Sequence, residues 1–180
     1  MTHKRKKQVN ESKDALLHSL LHLMKEKPFY TISITEISDL AQFDRRTFYR
    51  HFSSKEDVLD YHIHNLVTPY LKDIQKENIL SEYDLTYKHF YFLQNNLSFL
   101  KLLKKQHLFG FLLERYNKYM LIYNDAIPNE TEFYRLAFKS GGLINVVSRW
   151  IDKEPLPSPE AMATMIDGFI DYGLNFEKDT

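Results

Sequence analysis

Apolar residues at Leu16, Leu17, Leu20, Leu21, Leu23 and Met24 recur at helical spacing and predict a first helix over about Ser12 to Lys25. Pro28 stops it, and "PFYTIS" connects onward. A second, short helix opens at Ser33, with Glu36 placed to complete a capping box and Ile34, Ile37, Leu40 and Ala41 forming its apolar face. Asp44 then caps a third helix ending near Phe52. The box pattern returns at Ser53 and Glu56 and starts a long fourth helix through Val58, Leu59, Ile63, Leu66 and Val67. Farther on, Ser81 and Asp84 begin another helix, and more are predicted over 98–106, 108–126, 130–150 and 159–176. Ser158, Pro159 and Glu160 mark the start of the last. The pattern is all-α, with no internal repeat.

Composition agrees. Five glycines and six prolines in 180 residues suit helices better than a turn-rich sheet protein. The absence of cysteine removes disulfides and thiolate metal sites and fits a reducing cytoplasm. No stretch approaches the roughly 20 apolar residues of a membrane span, and the basic N-terminus lacks the apolar run of a signal peptide. The formal net charge of zero conceals an asymmetry: residues 1–55 hold eleven Lys and Arg against six Asp and Glu. A basic N-terminal quarter suits a polyanion, although a solvated charged face would look the same.

The segment "FDRRTFYRHFSSKE", residues 43–56, sharpens this. On a helix, Phe48 and Phe52 point the same way and face inward. Arg46, Thr47, Arg50 and His51 occupy the opposite arc, Tyr49 sits at its border, and Arg45 lies in the first turn. Such a helix can enter the major groove, where the arginine fork matches the two acceptors of guanine. Two short helices joined by the turn near Gln42, Phe43 and Asp44 fit a helix-turn-helix reader, the alternative being an ordinary helical hairpin with solvated arginines. The starts of the second and fourth helices, "TISIT" and "SSK", add candidate phosphate-binding ends.

The first 60 or so residues resemble the tetracycline-repressor (TetR) family of transcription regulators, through "ITEISDLA" and above all "RRTFYRHFSSKEDVLD". The resemblance implies a three-helix DNA-binding domain over 1–55, with its helix-turn-helix at about 33–52. A long fourth helix would join this to a helical-bundle effector-binding and dimerisation domain over 56–180. Arg45, Arg46 and Thr47 take positions that usually face bases, with Arg50 beside them. Tyr49, His51 and Lys55 take positions that usually contact phosphates, and Ser33 and Thr35 correspond to further backbone contacts. Two departures stand out. Ala41-Gln42-Phe43-Asp44 replaces the family's Ala-Gly-Val-Ser turn, and Pro28-Phe29 replaces its Gly-aromatic pair. Without glycine, a left-handed residue in that turn costs about 1 kcal/mol more.

Toward the C-terminus, "FYRLAFKSGGLINVVSRWI" and "LPSPEAMATMIDGFI" resemble a subset of smaller family members, which includes regulators like those of dihydroxyacetone utilisation. Gly141 and Gly142 inside a helix each cost about 1 kcal/mol relative to alanine, which close approach of another helix would offset. That helix could belong to a second subunit, with Met162, Ile166 and Phe169 completing a dimer interface, or to the same chain. The family also implies a pocket for a small apolar or aromatic effector. Phe92, Phe109, Tyr116, Tyr119 and Trp150 are its candidates, and aromatics at this spacing also serve as plain core.

No phosphate loop, nucleophile elbow or metal-ligand cluster is evident, and no cofactor is implied. His18 and His22 are spaced to share a metal but lack a third ligand nearby. The sequence therefore predicts a cytoplasmic, dimeric, ligand-responsive repressor reading a palindromic double-stranded DNA operator, and not an enzyme. The alternative is a helical protein–protein adaptor that has kept the fold.

Overall fold

The first helix begins well before its apolar stripe. In the computed structural model, α1 spans His3–Glu26. The run ahead of Ser12 is rich in Lys, Arg and Gln, which favour helix without leaving an apolar period to detect. The backbone is described over 3–77, 81–123 and 129–173, and the side chains over 7–77, 81–119 and 129–168. Pro28 ends α1 and starts a 3-10 turn at Phe29–Thr31. Then follow α2 (Ile34–Leu40), α3 (Arg45–His51) and α4 (Lys55–Lys76). The rest comprises α5 (Glu82–Asn95), α6 (Leu97–Lys105), α7 (Phe109–Tyr123), α8 (Glu130–Trp150) and α9 (Pro159–Gly173). The fold is all-α, with no strand among the described residues. The predicted ends of the helices at 108–126 and 159–176 fall outside the described residues.

The chain divides into two compact units, one running to Pro69 and the other starting at Tyr70, so the division falls within α4. In the first unit Leu16, Leu17, Leu20, Met24, Phe29, Ile32, Ile37, Phe48, Phe52, Val58, Leu59 and Ile63 are all buried. All but Phe29 and Ile32, which lie in the connection after α1, follow the predicted apolar faces of the first four helices. One cap differs from expectation. The start of α4 uses Ser54 and Asp57: the Asp57 N–H donates to Ser54 Oγ at 3.2 Å, and the Ser53 N–H donates to the Asp57 carboxylate at 2.8 Å. The overlapping pair Ser53 and Glu56 is one residue out of register with the helix start at Lys55.

In the second unit α5 packs on α9, and α7 on α8. Phe90, Leu93, Leu100, Val147, Trp150, Ile151 and Met162 form a buried core. Trp150 is only 2% exposed, meets Phe90 edge-on at 5.1 Å, and donates its indole N–H to the Pro157 carbonyl at 2.8 Å. Beside this core lies a polar–aromatic cluster. Tyr70 stacks on Phe92 at 4.4 Å, its hydroxyl sits 3.2 Å from His89 Nδ1, and Tyr116 meets the His89 ring at 5.8 Å. Removal from water disfavours the charged form of each group, pushing His89 down to about 4 and Tyr116 up to about 12.

His89 therefore makes stability depend on pH. Its folded-state value lies below that of a free imidazole, so between about 6.5 and 4 the unfolded chain binds the proton first, and stability falls as pH drops through that window. Urea midpoints should decline between those two values, and His89→Asn should decline less steeply than the parent.

Candidate nucleic-acid interface

The two short helices are held by side-chain caps rather than by length. Ser33 Oγ accepts the Glu36 N–H at 3.2 Å, while the Ser33 N–H donates to the Glu36 carboxylate at 2.9 Å. That carboxylate also pairs with Lys27 at the end of α1. These bonds, with Lys27 the foremost, hold the Glu36 carboxyl down to about 2. At α3, Asp44 Oδ1 accepts the Thr47 N–H at 2.6 Å, and hydrogen bonding from the Thr47 side chain, then from its backbone, keeps the Asp44 carboxyl below its usual range. Such caps give partners to backbone N–H groups that a helix start otherwise leaves unpaired.

Between the helices, Gln42 takes a left-handed backbone, φ 59°. The Gln42 N–H donates to the Asp39 carbonyl and the Phe43 N–H to the Ser38 carbonyl, at 3.0 and 2.9 Å. This is the Schellman closure of a helix end, in which glycine is the usual left-handed residue. Gln42 carries the strain that the missing glycine predicts.

The next residues separate into two faces. Phe48 is completely buried and Phe52 nearly so, their rings 5.9 Å apart. Arg45, Arg46, Tyr49 and Arg50 are exposed, and Thr47 is half-buried. Arg45 lies over the Tyr49 ring at 6.0 Å, and Asp44 feels the charges of Arg50 and Arg46. Thr35 is exposed in the first turn of α2, beside Ser33, whose hydroxyl and N–H both serve the cap. A planar cation cluster is thus presented on a face backed by two buried rings, an arrangement suited to base edges and phosphates.

Residues 16–61 match the family model of bacterial regulatory proteins, tetR family. The chain carries a tetR-type helix-turn-helix domain. This supports a DNA-binding transcription regulator, and the match spans α2, α3, the turn between them and the start of α4. No curated protein matches the chain.

Within the tetR-type domain, two expected phosphate contacts have other partners. His51 Nε2 lies 2.8 Å from Ser12 Oγ on α1, and burial, then the Arg50 and Lys13 charges, depress its imidazole. Lys55 donates to the carbonyls of Phe29, Tyr30 and Ile32 at 2.7, 3.2 and 2.9 Å, so its three protons are used inside the domain. Neither Ser12, which bonds His51, nor Tyr30, whose carbonyl accepts from Lys55, stands out in the sequence. Ser12 shares the inward face of Leu16 and Ser19, which was the available signal. Tyr30, 82% exposed, follows Pro28-Phe29 where no period applies.

The candidates in the second unit separate as well. Trp150 is core, and Phe92 and Phe109 pack against the same core, so these three aromatics fill space in the fold. Tyr116 belongs to the His89 cluster, and Tyr119 is half-buried. A shallow cleft of about 420 Å³ is lined instead by Lys101, Lys104, Ile151, Asp152 and Glu154. Met162 is buried in the core and Ile166 packs on it, which removes Met162 from any interface surface. The Phe169 side chain lies outside the described residues. At Gly141 and Gly142 an added Cβ would meet nothing within 4 Å, so no close packing inside the described chain explains either glycine.

Gln42→Gly should stabilise the protein by about 0.5–1 kcal/mol, since glycine takes the left-handed turn without strain. Denaturant midpoints of parent and variant check this. A lower midpoint would contradict the turn assignment.

Proposed function

We propose that the protein is a ligand-responsive repressor that binds a palindromic operator as a homodimer in the cytoplasm, using residues 1–55 to read DNA and 56–180 to bind an effector and dimerise. The observation that carries this reading is the division of α3: Phe48 and Phe52 are buried behind Arg45, Arg46 and Arg50, which are exposed. Arg45, Arg46 and Thr47 read bases, with Arg50 alongside. Tyr49, Ser33 and Thr35 meet the sugar–phosphate backbone, and His51 supports α3 through Ser12.

A second copy is supported by α8. Tyr134 and Phe138 are exposed, Phe138 by 83%, and at helical spacing they share a face with Gly141 and Gly142. That face lies opposite the buried stripe of Leu136, Ser140, Ile144, Val147 and Trp150. Two such faces would bury each other's rings against glycine backbone, and the resulting two-fold would match a palindrome. The likeness of the C-terminal stretch to smaller family members of the dihydroxyacetone-utilisation type belongs to this reading. A helical adaptor would use the same α8 face for another protein and would ignore DNA.

Selection of bound duplexes from a random pool should return a palindromic consensus. Arg46→Ala should cost about 1–3 kcal/mol on that consensus and almost nothing on random DNA. Equal losses on both would remove Arg46 from base reading. By sedimentation, the parent should be a dimer and Phe138→Glu a monomer, because a charge buried at the centre of an apolar interface is uncompensated. A parent that sediments as a monomer would exclude the homodimer.

A further inference from the structure

The most heavily bonded cation at the candidate interface has its charge directed inward. Lys55, the first residue of α4, reaches back to the connection between α1 and α2. Its ammonium donates to the carbonyls of Phe29, Tyr30 and Ile32 and lies 4.7 Å from the centre of the Phe29 ring. An ammonium has three protons, and three acceptors converge on it. Partial burial lowers the Lys55 ammonium below the ordinary lysine range.

The connection it grips is also held by the Thr31 hydroxyl, which donates to the Pro28 carbonyl at 2.7 Å, and by the burial of Phe29 and Ile32. The 3-10 turn is three residues long, closed by the Thr31 N–H on the Pro28 carbonyl and the Ile32 N–H on the Phe29 carbonyl. Only Phe29 and Ile32 of this stretch are buried, while Tyr30, Thr31 and Ser33 face solvent. Three carbonyls aimed at one point would repel one another without a cation between them. The ammonium offsets that repulsion, and Tyr30 stands exposed three residues before the Ser33 cap.

We propose that Lys55 is a positioning residue for DNA binding: it gathers the Phe29, Tyr30 and Ile32 carbonyls and so holds the face from Tyr30 to Thr35 against the DNA backbone, making no phosphate contact of its own. The inference rests on the DNA-binding reading above and departs from the phosphate role that the family resemblance implies for this lysine. It adds Tyr30 to the contacting residues.

The test compares Lys55→Arg, Tyr30→Ala and the double variant with the parent, measuring affinity for the selected duplex over a range of salt concentrations. Arginine would preserve a phosphate contact, but a planar guanidinium cannot converge on three carbonyls. Lys55→Arg should therefore bind about tenfold more weakly, the scale of one lost charged hydrogen bond, with the parent's salt dependence. Tyr30→Ala should weaken binding to a similar degree, and the double variant should be little worse than either single one. Parental affinity in Lys55→Arg overturns the proposal, as do additive losses. Should Lys55→Arg not fold, exposed Tyr30 carries the test, and parental affinity in Tyr30→Ala overturns the proposal. In a further variant, Lys55→Met, a salt slope shallower by about 0.9 would also overturn it, by marking a lost phosphate contact. These outcomes leave the regulator reading standing. If the parent binds no duplex, both fall.

Discussion

Burial of two rings holds the third helix in place. α3 has seven residues, far fewer than the roughly 12–15 at which an isolated helix becomes even marginally stable in water. Its existence depends on Phe48, with no exposed surface, and on Phe52, which touches Phe48 on one side and Tyr61 of α4 on the other. Each buried aromatic side chain contributes about 1.5–3 kcal/mol of transfer free energy. The arginines can remain outside only because that anchorage comes from the opposite face. Asp44 fixes the start of the helix, and the bond between Ser12 and His51 fixes its end.

Most of this was legible in the sequence because the signals are local. Ser33 with Glu36 and Asp44 with Thr47 lie three residues apart, and the Phe48–Phe52 spacing names the inward face. The strained turn at Gln42 was foreseeable for the same reason. The partners of Lys55 and His51 were not, since they lie more than twenty and nearly forty residues away. Helical period gives the direction in which such a side chain points but not what meets it. The α4 cap shows a different limit: "SSKED" contains two overlapping boxes, and only the packed helix selects Ser54 and Asp57.

In the second unit the period was less informative. Trp150, Phe92 and Phe109 recur as core aromatics must, and a pocket wall would recur identically. The choice depends on tertiary packing, which brings Trp150 onto Phe90 and places its indole N–H on a proline carbonyl. Gly141 and Gly142 went the other way. Their cost was readable from composition, and the open space beside them leaves the described chain without a cause for it.

Asp44 has a less obvious effect on how the protein would search a genome. Its carboxylate caps the start of α3, within the electrostatic influence of Arg50 and Arg46. A fixed anion there subtracts from the sequence-blind attraction to any duplex, while shape-matched contacts to base edges are short-ranged and lose much less. On the proposed reading, this domain gives up grip on random DNA in return for a higher ratio of correct to incorrect occupancy, and it dissociates sooner from sites that are not its own.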